Sequence, residues 1–267
     1  GIQPLFRNII KRHDCAFGTA FDLISIFIKK SKSQCLKHPH TTVIGCTAPD
    51  SDDEVVAIAP FFPEYRVFAQ SAGAKFVVVP ADTEKFQVNF CEFEKALNEN
   101  TKAVIINTPN NPTGVVLTCE CVKKLCAILT AKSNEYGHPI YLIADEPYRE
   151  LCYEGTVPYL PCYYDNTVVC YSYSKSLSLP GERIGYIFVS PKAQDSADIF
   201  AAICGAGRSM GFVCAPSLMQ KVALECDGMC ADISKYDRNR RLLYNSLSEM
   251  GYEAVEPKGA FYLFVKA

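Results

Sequence analysis

The sequence lacks the patterns that mark several common classes of protein. Its longest apolar stretch, residues 21–28, is far shorter than the ~20 residues that a membrane span needs. The chain opens without the basic segment and apolar core of a signal peptide. Lysine and arginine total 27 against 29 acidic residues, and no run of five like charges occurs. We therefore expect no membrane span and no nucleic-acid partner.

No pair of cysteines has the C-x-x-C spacing that is typical of zinc and thioredoxin-like sites, although the chain holds 14 cysteines. Most of them lie inside apolar patterns, as Cys126 and Cys170 do, where a thiol behaves as a small hydrophobic side chain. This usage predicts reduced, structural thiols, no metal site and a soluble protein of the cytoplasm.

Short apolar runs alternate with helical stretches between residues 53 and 190. Nearly continuous apolar runs are typical of strands that are covered on both faces. One helix is predicted to begin after Thr118 and to end at Gly137, and another to span residues 89–98. Strand–helix–strand units predict an α/β fold with a mostly parallel sheet flanked by helices. The predicted strands are residues 55–59, 76–79, 104–106, 141–143, 168–171 and 184–189.

The pattern changes after residue 190. A long helix is predicted over residues 230–250, followed by extended chain over residues 252–265. We expect a large α/β domain over residues 1–204, with an irregular or incomplete N-terminal part. Residues 205–267 are expected to form part of a smaller α+β domain.

Ligands of open α/β sheets gather at the carboxyl ends of the strands, where four of the predicted strands end in polar or aromatic clusters. Lys175 leaves one buried strand, so desolvation is expected to lower its pKa and make the amine a nucleophile. Ser172, Ser174 and Arg183 around it suit an oxyanion or a phosphate. An ordinary solvated loop lysine is the alternative for an isolated Ser-x-Ser-Lys.

Three further clusters follow other strands. Asn111 lies in a turn built of asparagines, prolines and a glycine. Asp145 ends an apolar strand, where a carboxylate is costly unless it meets a cation; a helix cap is the alternative role. Tyr148 follows it by three residues. Phe62 lies in an aromatic cluster after the first strand, and a core phenylalanine is the alternative there.

These segments together resemble the class I and II aminotransferases, pyridoxal-phosphate enzymes of fold type I similar to aspartate aminotransferase. The resemblance rests on Ser-Tyr-Ser-Lys at residues 172–175 with Arg-Ile-Gly at 183–185, on Asn-Pro-Thr-Gly at 111–114, and on Asp145 with Tyr148. It implies transfer of an amino group between an amino acid and a 2-oxo acid. It also implies a homodimer with the sites at the subunit interface.

The resemblance also implies a role for each site residue. Lys175 would carry pyridoxal 5'-phosphate as a Schiff base and shuttle the proton, and Asp145 would face the pyridine nitrogen. The remaining implied roles are contact with the phenolic oxygen by Asn111 and Tyr148, stacking on the ring by Phe62, and phosphate binding by Ser172, Ser174 and Arg183.

The sequence departs from the family pattern in several places. Gly45, Cys46 and Thr47 resemble the family's phosphate-binding turn and form a candidate phosphate site, but the helix that normally follows is missing. Residues 1–7 resemble an internal segment, and residues 257–263 resemble a small-domain strand that normally continues. The arginine that binds the substrate carboxylate has no counterpart. Because the cofactor residues are intact, we favour omitted segments of a longer protein over a degenerate relative.

Other functions stay open at this point. The same lysine and aspartate serve pyridoxal-phosphate lyases, which carry out β-elimination from cysteine conjugates. A non-catalytic remnant that acts through protein contacts is an alternative of another class. A dinucleotide-binding protein is disfavoured because no G-x-G-x-x-G follows a strand. The substrate side chain is not indicated; Arg208, Arg238, Arg240 and Arg241 are candidate carboxylate ligands or ordinary surface arginines.

Overall fold

A six-stranded sheet forms the centre of the computed structural model, which describes residues 50–209 and 214–266. Its spatial order is β2-β1-β3-β4-β5-β6. Neighbouring strands pair in parallel except β5 and β6, which are antiparallel. The predicted α/β fold with a mostly parallel sheet is therefore confirmed. The strands are β1 Glu54–Ile58, β2 Lys75–Val79, β3 Thr101–Asn107, β4 Tyr141–Asp145, β5 Thr167–Ser172 and β6 Gly185–Val189.

Helices connect these strands and continue beyond the sheet, and a 3-10 turn spans Leu160–Cys162. The helices of the described ranges are α1 Glu64–Ser71, α2 Phe90–Ala96, α3 Cys119–Tyr136, α4 Tyr173–Ser176, α5 Ser196–Ser209, α6 Ser217–Glu225 and α7 Ile233–Glu249.

Local capping explains where α2 and α3 begin. The Thr118 hydroxyl accepts a hydrogen bond from the Cys121 amide at 3.1 Å, and Gly137 ends α3 in the left-handed conformation with φ 73°. The Asn89 side chain likewise accepts from the Glu92 amide at 3.3 Å. Both predicted helices are confirmed, although α2 ends at Ala96 rather than at residue 98.

Both faces of the sheet are buried, which explains the continuous apolar runs. Adjacent residues of a strand point to opposite faces. Val56 packs in the core that α3 covers, whereas Val55 packs in the core that Tyr65 of α1 and Ile199 of α5 cover. The buried Cys126 belongs to the first of these cores. Its burial raises the pKa of the thiol to about 12, as expected for a structural thiol.

The C-terminal part differs from its prediction in two respects. Helix α7 begins at Ile233, three residues later than predicted, because the Asp232 carboxylate accepts from the Ser234 amide at 3.1 Å and caps the helix there. Residues 252–265 were predicted to be extended, and among the described residues they form isolated bridges, not a continuous strand. The predicted domain boundary at residues 204 and 205 lies within α5, and the division into two domains stays a prediction.

No helix within residues 50–209 or 214–266 is long and apolar enough to cross a membrane. Within the same ranges, the cysteines are free thiols and no three side chains form a potential metal site.

Leu129 provides a test of the packing of α3 on the sheet. Its side chain is fully buried, so Leu129→Ala is expected to lower the free energy of unfolding by about 2–5 kcal/mol. Denaturation in urea would measure this loss. Lys123→Ala, at an exposed position of the same helix, is the matched control and should change the value by less than ~0.5 kcal/mol. Equal losses in both variants would contradict the assigned packing.

Candidate active site

The carboxyl ends of three parallel strands lie side by side. Asn107, the last residue of β3, pairs in register with Asp145, the last residue of β4, and Asp145 pairs with Cys170 of β5. The sheet therefore brings the asparagine turn, the Asp145 cluster and the Lys175 cluster to one edge, which is where ligands of such sheets bind.

Asp145 is buried and held from two sides. Its carboxylate accepts a hydrogen bond from the hydroxyl of Tyr65, and its backbone oxygen accepts from the Asn107 side chain at 2.8 Å. Burial, followed by the charge of Asp145, raises the pKa of Tyr65 well above its ordinary value, so Tyr65 stays a donor. Residues 147–150 form a turn and not a helix, so Asp145 caps no helix.

Tyr65 was not among the residues predicted for the site. It lies three residues after Phe62, in the aromatic cluster that follows β1, and its hydroxyl reaches across 80 positions of the chain to Asp145. The available signal was an aromatic hydroxyl next to a strand end already assigned to the site. Phe62 itself is half-buried and meets the ring of Tyr65 edge-on at 5.7 Å.

The asparagine turn is braced by its own side chains. The Asn107 side chain accepts from the backbone amide of Asn111 at 2.6 Å, and the Asn110 side chain accepts from both the amide and the hydroxyl of Thr113, at 3.1 and 2.9 Å. The predicted turn is present, and Asn111 lies half-buried within it. The backbone on both sides of Asn111 is thus fixed by hydrogen bonds.

Lys175 lies on the short helix α4, directly after β5. Its Nζ atom is 5.0 Å from the ring centre of Phe261 and 5.9 Å from that of Tyr148. Burial lowers the pKa of Lys175, and the positive charge of Arg183 lowers it further. A larger fraction of the amine is therefore neutral and nucleophilic at a given pH than for an ordinary lysine.

Two hydroxyls and a guanidinium group lie beside the lysine. The Ser172 hydroxyl donates to the Ser174 hydroxyl at 2.8 Å and accepts from the Ser174 amide at 3.1 Å. Nη1 of Arg183 donates to the Ser174 hydroxyl at 3.5 Å and to the Pro180 carbonyl at 2.9 Å. This combination of hydroxyls and a bidentate cation suits a phosphate group.

Gly185 permits this arrangement. A Cβ atom there would lie 2.2 Å from the carbonyl oxygen of Tyr171, so only glycine lets β6 begin against the end of β5. The close approach positions Arg183, two residues earlier, beside the Ser172–Ser174 pair.

Tyr148 completes the cluster around Lys175. Its hydroxyl lies 2.6 Å from the hydroxyl of Tyr262, and its ring meets the rings of Phe261 and Tyr262 edge-on at 5.5 and 5.6 Å. Burial raises the pKa of Tyr148 well above its ordinary value. The sequence predicted a strand-like segment for Phe261 and Tyr262 and did not indicate their contact with the site.

The candidate phosphate site at Gly45, Cys46 and Thr47 lies outside the described residues. Arg240 is buried and paired with Asp237 at 2.7 Å and Glu256 at 3.1 Å, so its charge is already matched within the protein.

Comparison with known proteins identifies the family. Residues 33–267 match the model of the family described as aminotransferase class I and II. The chain belongs to this family. Its members depend on pyridoxal phosphate.

Curated relatives of this chain are named as aminotransferases. It is 33% identical over 245 residues to a probable N-acetyl-LL-diaminopimelate aminotransferase of Bacillus subtilis, covering 90% of this chain and 58% of that protein. It is 30% identical over 232 residues to an aspartate aminotransferase of Pyrococcus abyssi, covering 83% of this chain and 57% of that protein. The chain thus spans a little over half the length of these relatives.

Solved structures of the family share the fold. An amino transferase from Eubacterium rectale superposes with a TM-score of 0.92 at 48% identity, covering all of this chain and 66% of that one. An aspartate aminotransferase from Thermotoga maritima gives a TM-score of 0.80 at 26% identity, covering all of this chain and 68% of that one. The fold is therefore that of the fold type I aminotransferases.

The donor set fits the cofactor of the family. The aldehyde of pyridoxal phosphate requires a nucleophilic amine, its pyridine nitrogen a carboxylate, and its phosphate a cation with hydroxyls. Lys175 has a lowered pKa, Asp145 is a buried carboxylate, and Arg183 lies beside Ser172 and Ser174.

Tyr65→Phe tests the support of Asp145. The variant removes one donor from a buried carboxylate with little change in shape. We expect the free energy of unfolding without cofactor to fall by about 1.5–3 kcal/mol, as for a hydrogen bond to a charged group. Tyr252→Phe, at an exposed tyrosine, makes the same chemical change as a control. Urea denaturation of both variants decides the matter: equal stability of Tyr65→Phe and the control would refute the contact.

Proposed function

We propose that this protein transfers an amino group between an amino acid and a 2-oxo acid, with pyridoxal 5'-phosphate as cofactor. The observation that carries the proposal is a lysine of lowered pKa at the carboxyl ends of parallel strands, beside a buried aspartate, a buried tyrosine and a Ser–Ser–Arg group. The two curated relatives described above are both named as aminotransferases, which supports the same reaction class.

Lys175 would do the covalent and proton-transfer work. Its neutral amine would hold the cofactor through the aldehyde carbon, with loss of water. Once the substrate amine has taken its place, the freed amine of Lys175 would accept the proton from the substrate α-carbon and return it on the other side of the reaction. When bound, the cofactor supplies an electron sink for the bond broken at the α-carbon. Partial burial lowers the pKa of Lys175 and so favours the neutral amine that both tasks need.

Asp145, Asn111 and Tyr148 would set the electronic state of the ring. Asp145 would keep the pyridine nitrogen protonated, while the donor Tyr65 holds its carboxylate in place. Asn111 and Tyr148 would donate to the phenolic oxygen. Because the pKa of Tyr148 is raised, its hydroxyl stays protonated and able to donate at neutral pH.

The remaining candidates would bind the cofactor without taking part in bond changes. Arg183, Ser172 and Ser174 hold the phosphate, and the charge of Arg183 contributes most. Gly45, Cys46 and Thr47 are proposed as a second group of phosphate ligands. Phe62 is proposed to stack on the ring. We further propose a cytoplasmic homodimer with its sites at the subunit interface.

A lyase on the same scaffold would use the same lysine and aspartate, and no observation favours it here. The products distinguish the two reactions. A new amino acid indicates transfer, whereas ammonia together with pyruvate indicates elimination.

Covalent labelling tests the central role of Lys175. Borohydride reduction of the protein with pyridoxal phosphate is expected to leave a pyridoxyl group on Lys175, found by peptide mapping. Lys175→Ala should lose the label and lower transaminase activity by roughly 10²-fold or more. Lys235→Ala, at an exposed lysine, should keep both. A label confined to other lysines would overturn the proposal.

The pH dependence of attachment tests the cause of the lowered pKa. Since the neutral amine reacts, attachment to Lys175 should be half complete at a lower pH than for an ordinary lysine. Arg183→Gln removes a nearby positive charge, so the midpoint should rise. Pyridoxal, which lacks the phosphate, separates this effect from phosphate binding. Arg241→Gln, at an exposed arginine of α7 that pairs with Asp237, should leave the midpoint unchanged. An unchanged midpoint in Arg183→Gln would contradict the assigned cause.

A further inference from the structure

The segment at residues 257–262 docks on the site through backbone hydrogen bonds. The amides of Lys258 and Gly259 both donate to the Gly114 carbonyl at 2.9 Å. The Ala260 amide donates to the Leu151 carbonyl, and the Tyr153 amide donates to the Lys258 carbonyl, each at 2.8 Å. The segment is therefore held between the asparagine turn and the loop after β4.

Two glycines make this contact possible. Gly114 has φ +71°, and a Cβ atom there would lie 2.4 Å from Cβ of Pro257. A Cβ atom on Gly259 would lie 2.6 Å from Cγ of Pro109 and 2.8 Å from the Leu151 carbonyl. Any side chain at either position would push the two backbones apart. The glycine of the Asn-Pro-Thr-Gly sequence thus serves a long-range contact in addition to the turn.

The docked segment delivers two aromatic side chains to the site. Phe261 approaches Nζ of Lys175, and the Tyr262 hydroxyl lies 2.6 Å from the Tyr148 hydroxyl. Tyr148 is only 4% exposed, so water has little access to replace this partner. Burial makes a hydroxyl–hydroxyl bond at this place more valuable than one at the surface.

We propose that Tyr262 is a positioning residue, whose hydroxyl donates to Tyr148 and thereby directs the Tyr148 proton onto the phenolic oxygen of the cofactor. This inference rests on the function proposed above. A tyrosine hydroxyl has one proton to donate. If Tyr148 donates to the cofactor, its bond with Tyr262 must be one that it accepts. A hydroxyl that accepts a hydrogen bond becomes a stronger donor, so Tyr262 strengthens the contact at the phenolic oxygen.

The proposal predicts a change in the titration of the bound cofactor. A stronger donor favours the negatively charged form of the phenolic oxygen, so the cofactor loses its proton at a lower pH. Tyr262→Phe weakens the donor, and the midpoint should rise by a few tenths of a pH unit. Tyr148→Phe removes the donor and should raise it more. Visible absorbance against pH, measured on the full-length protein with pyridoxal phosphate, gives these midpoints.

The double variant distinguishes a relay, in which Tyr262 acts on the cofactor only through Tyr148, from separate effects of the two tyrosines. In a relay, the double variant should have the midpoint of Tyr148→Phe alone. Tyr252→Phe, at an exposed tyrosine, should match the unaltered protein. An unchanged midpoint in Tyr262→Phe, or shifts that add in the double variant, would overturn the proposal.

A second measurement keeps the hydroxyl pair testable without cofactor. A double-mutant cycle on the free energy of unfolding of the protein without cofactor should give a non-zero coupling between positions 148 and 262. Zero coupling would contradict the hydrogen bond between Tyr148 and Tyr262, and with it the proposal. If the coupling is present but no absorbance change follows the addition of pyridoxal phosphate, the proposed function fails and the relay fails with it.

Discussion

The parallel pairing of β3, β4 and β5 puts Asn107, Asp145 and Cys170 level with one another at the end of the sheet. Because parallel strands all end at the same edge, three loops that are distant in sequence must leave from one place. The site depends on this register, since a slip of one residue in β4 would turn Asp145 to the opposite face. Gly185, the first residue of the antiparallel β6, pairs with Ser172 at the end of β5, so Arg183, two residues earlier, lies next to the short helix α4 that carries Lys175.

The lysine and the tyrosines of the site have pKa values that are shifted in opposite directions. The proposed reaction needs a partly neutral amine on Lys175, and burial together with Arg183 lowers its pKa in that direction. The two tyrosines must stay protonated, and burial raises the pKa of both Tyr65 and Tyr148. One physical cause, desolvation, therefore acts in the required direction on the lysine and on the phenols. Asp145 is the exception, because burial disfavours a carboxylate, and the hydrogen bond from Tyr65 offsets this cost.

Local patterns predicted those parts of the molecule whose causes are local. The apolar runs of the strands, the start of α3 after Thr118 and its end at Gly137 follow from neighbouring residues, and the structure confirms them. The bonds from Tyr65 to Asp145 and from Tyr262 to Tyr148 join residues 80 and 114 positions apart, so no local pattern reports them. Local sequence likewise does not explain why position 185 requires glycine, because the atom that excludes a side chain there is a carbonyl oxygen on another strand.

Gly114 shows how one residue can satisfy a local and a distant requirement together. Its positive φ suits the end of the turn that contains Asn111, and its missing side chain admits Pro257. The carbonyl of the same residue accepts the amides of Lys258 and Gly259. A substitution here would disturb the turn. It would also displace the segment that brings Phe261 and Tyr262 to the surroundings of Lys175. The asparagine turn and the segment at residues 257–262 thus hold each other in position, and the surroundings of Lys175 depend on both.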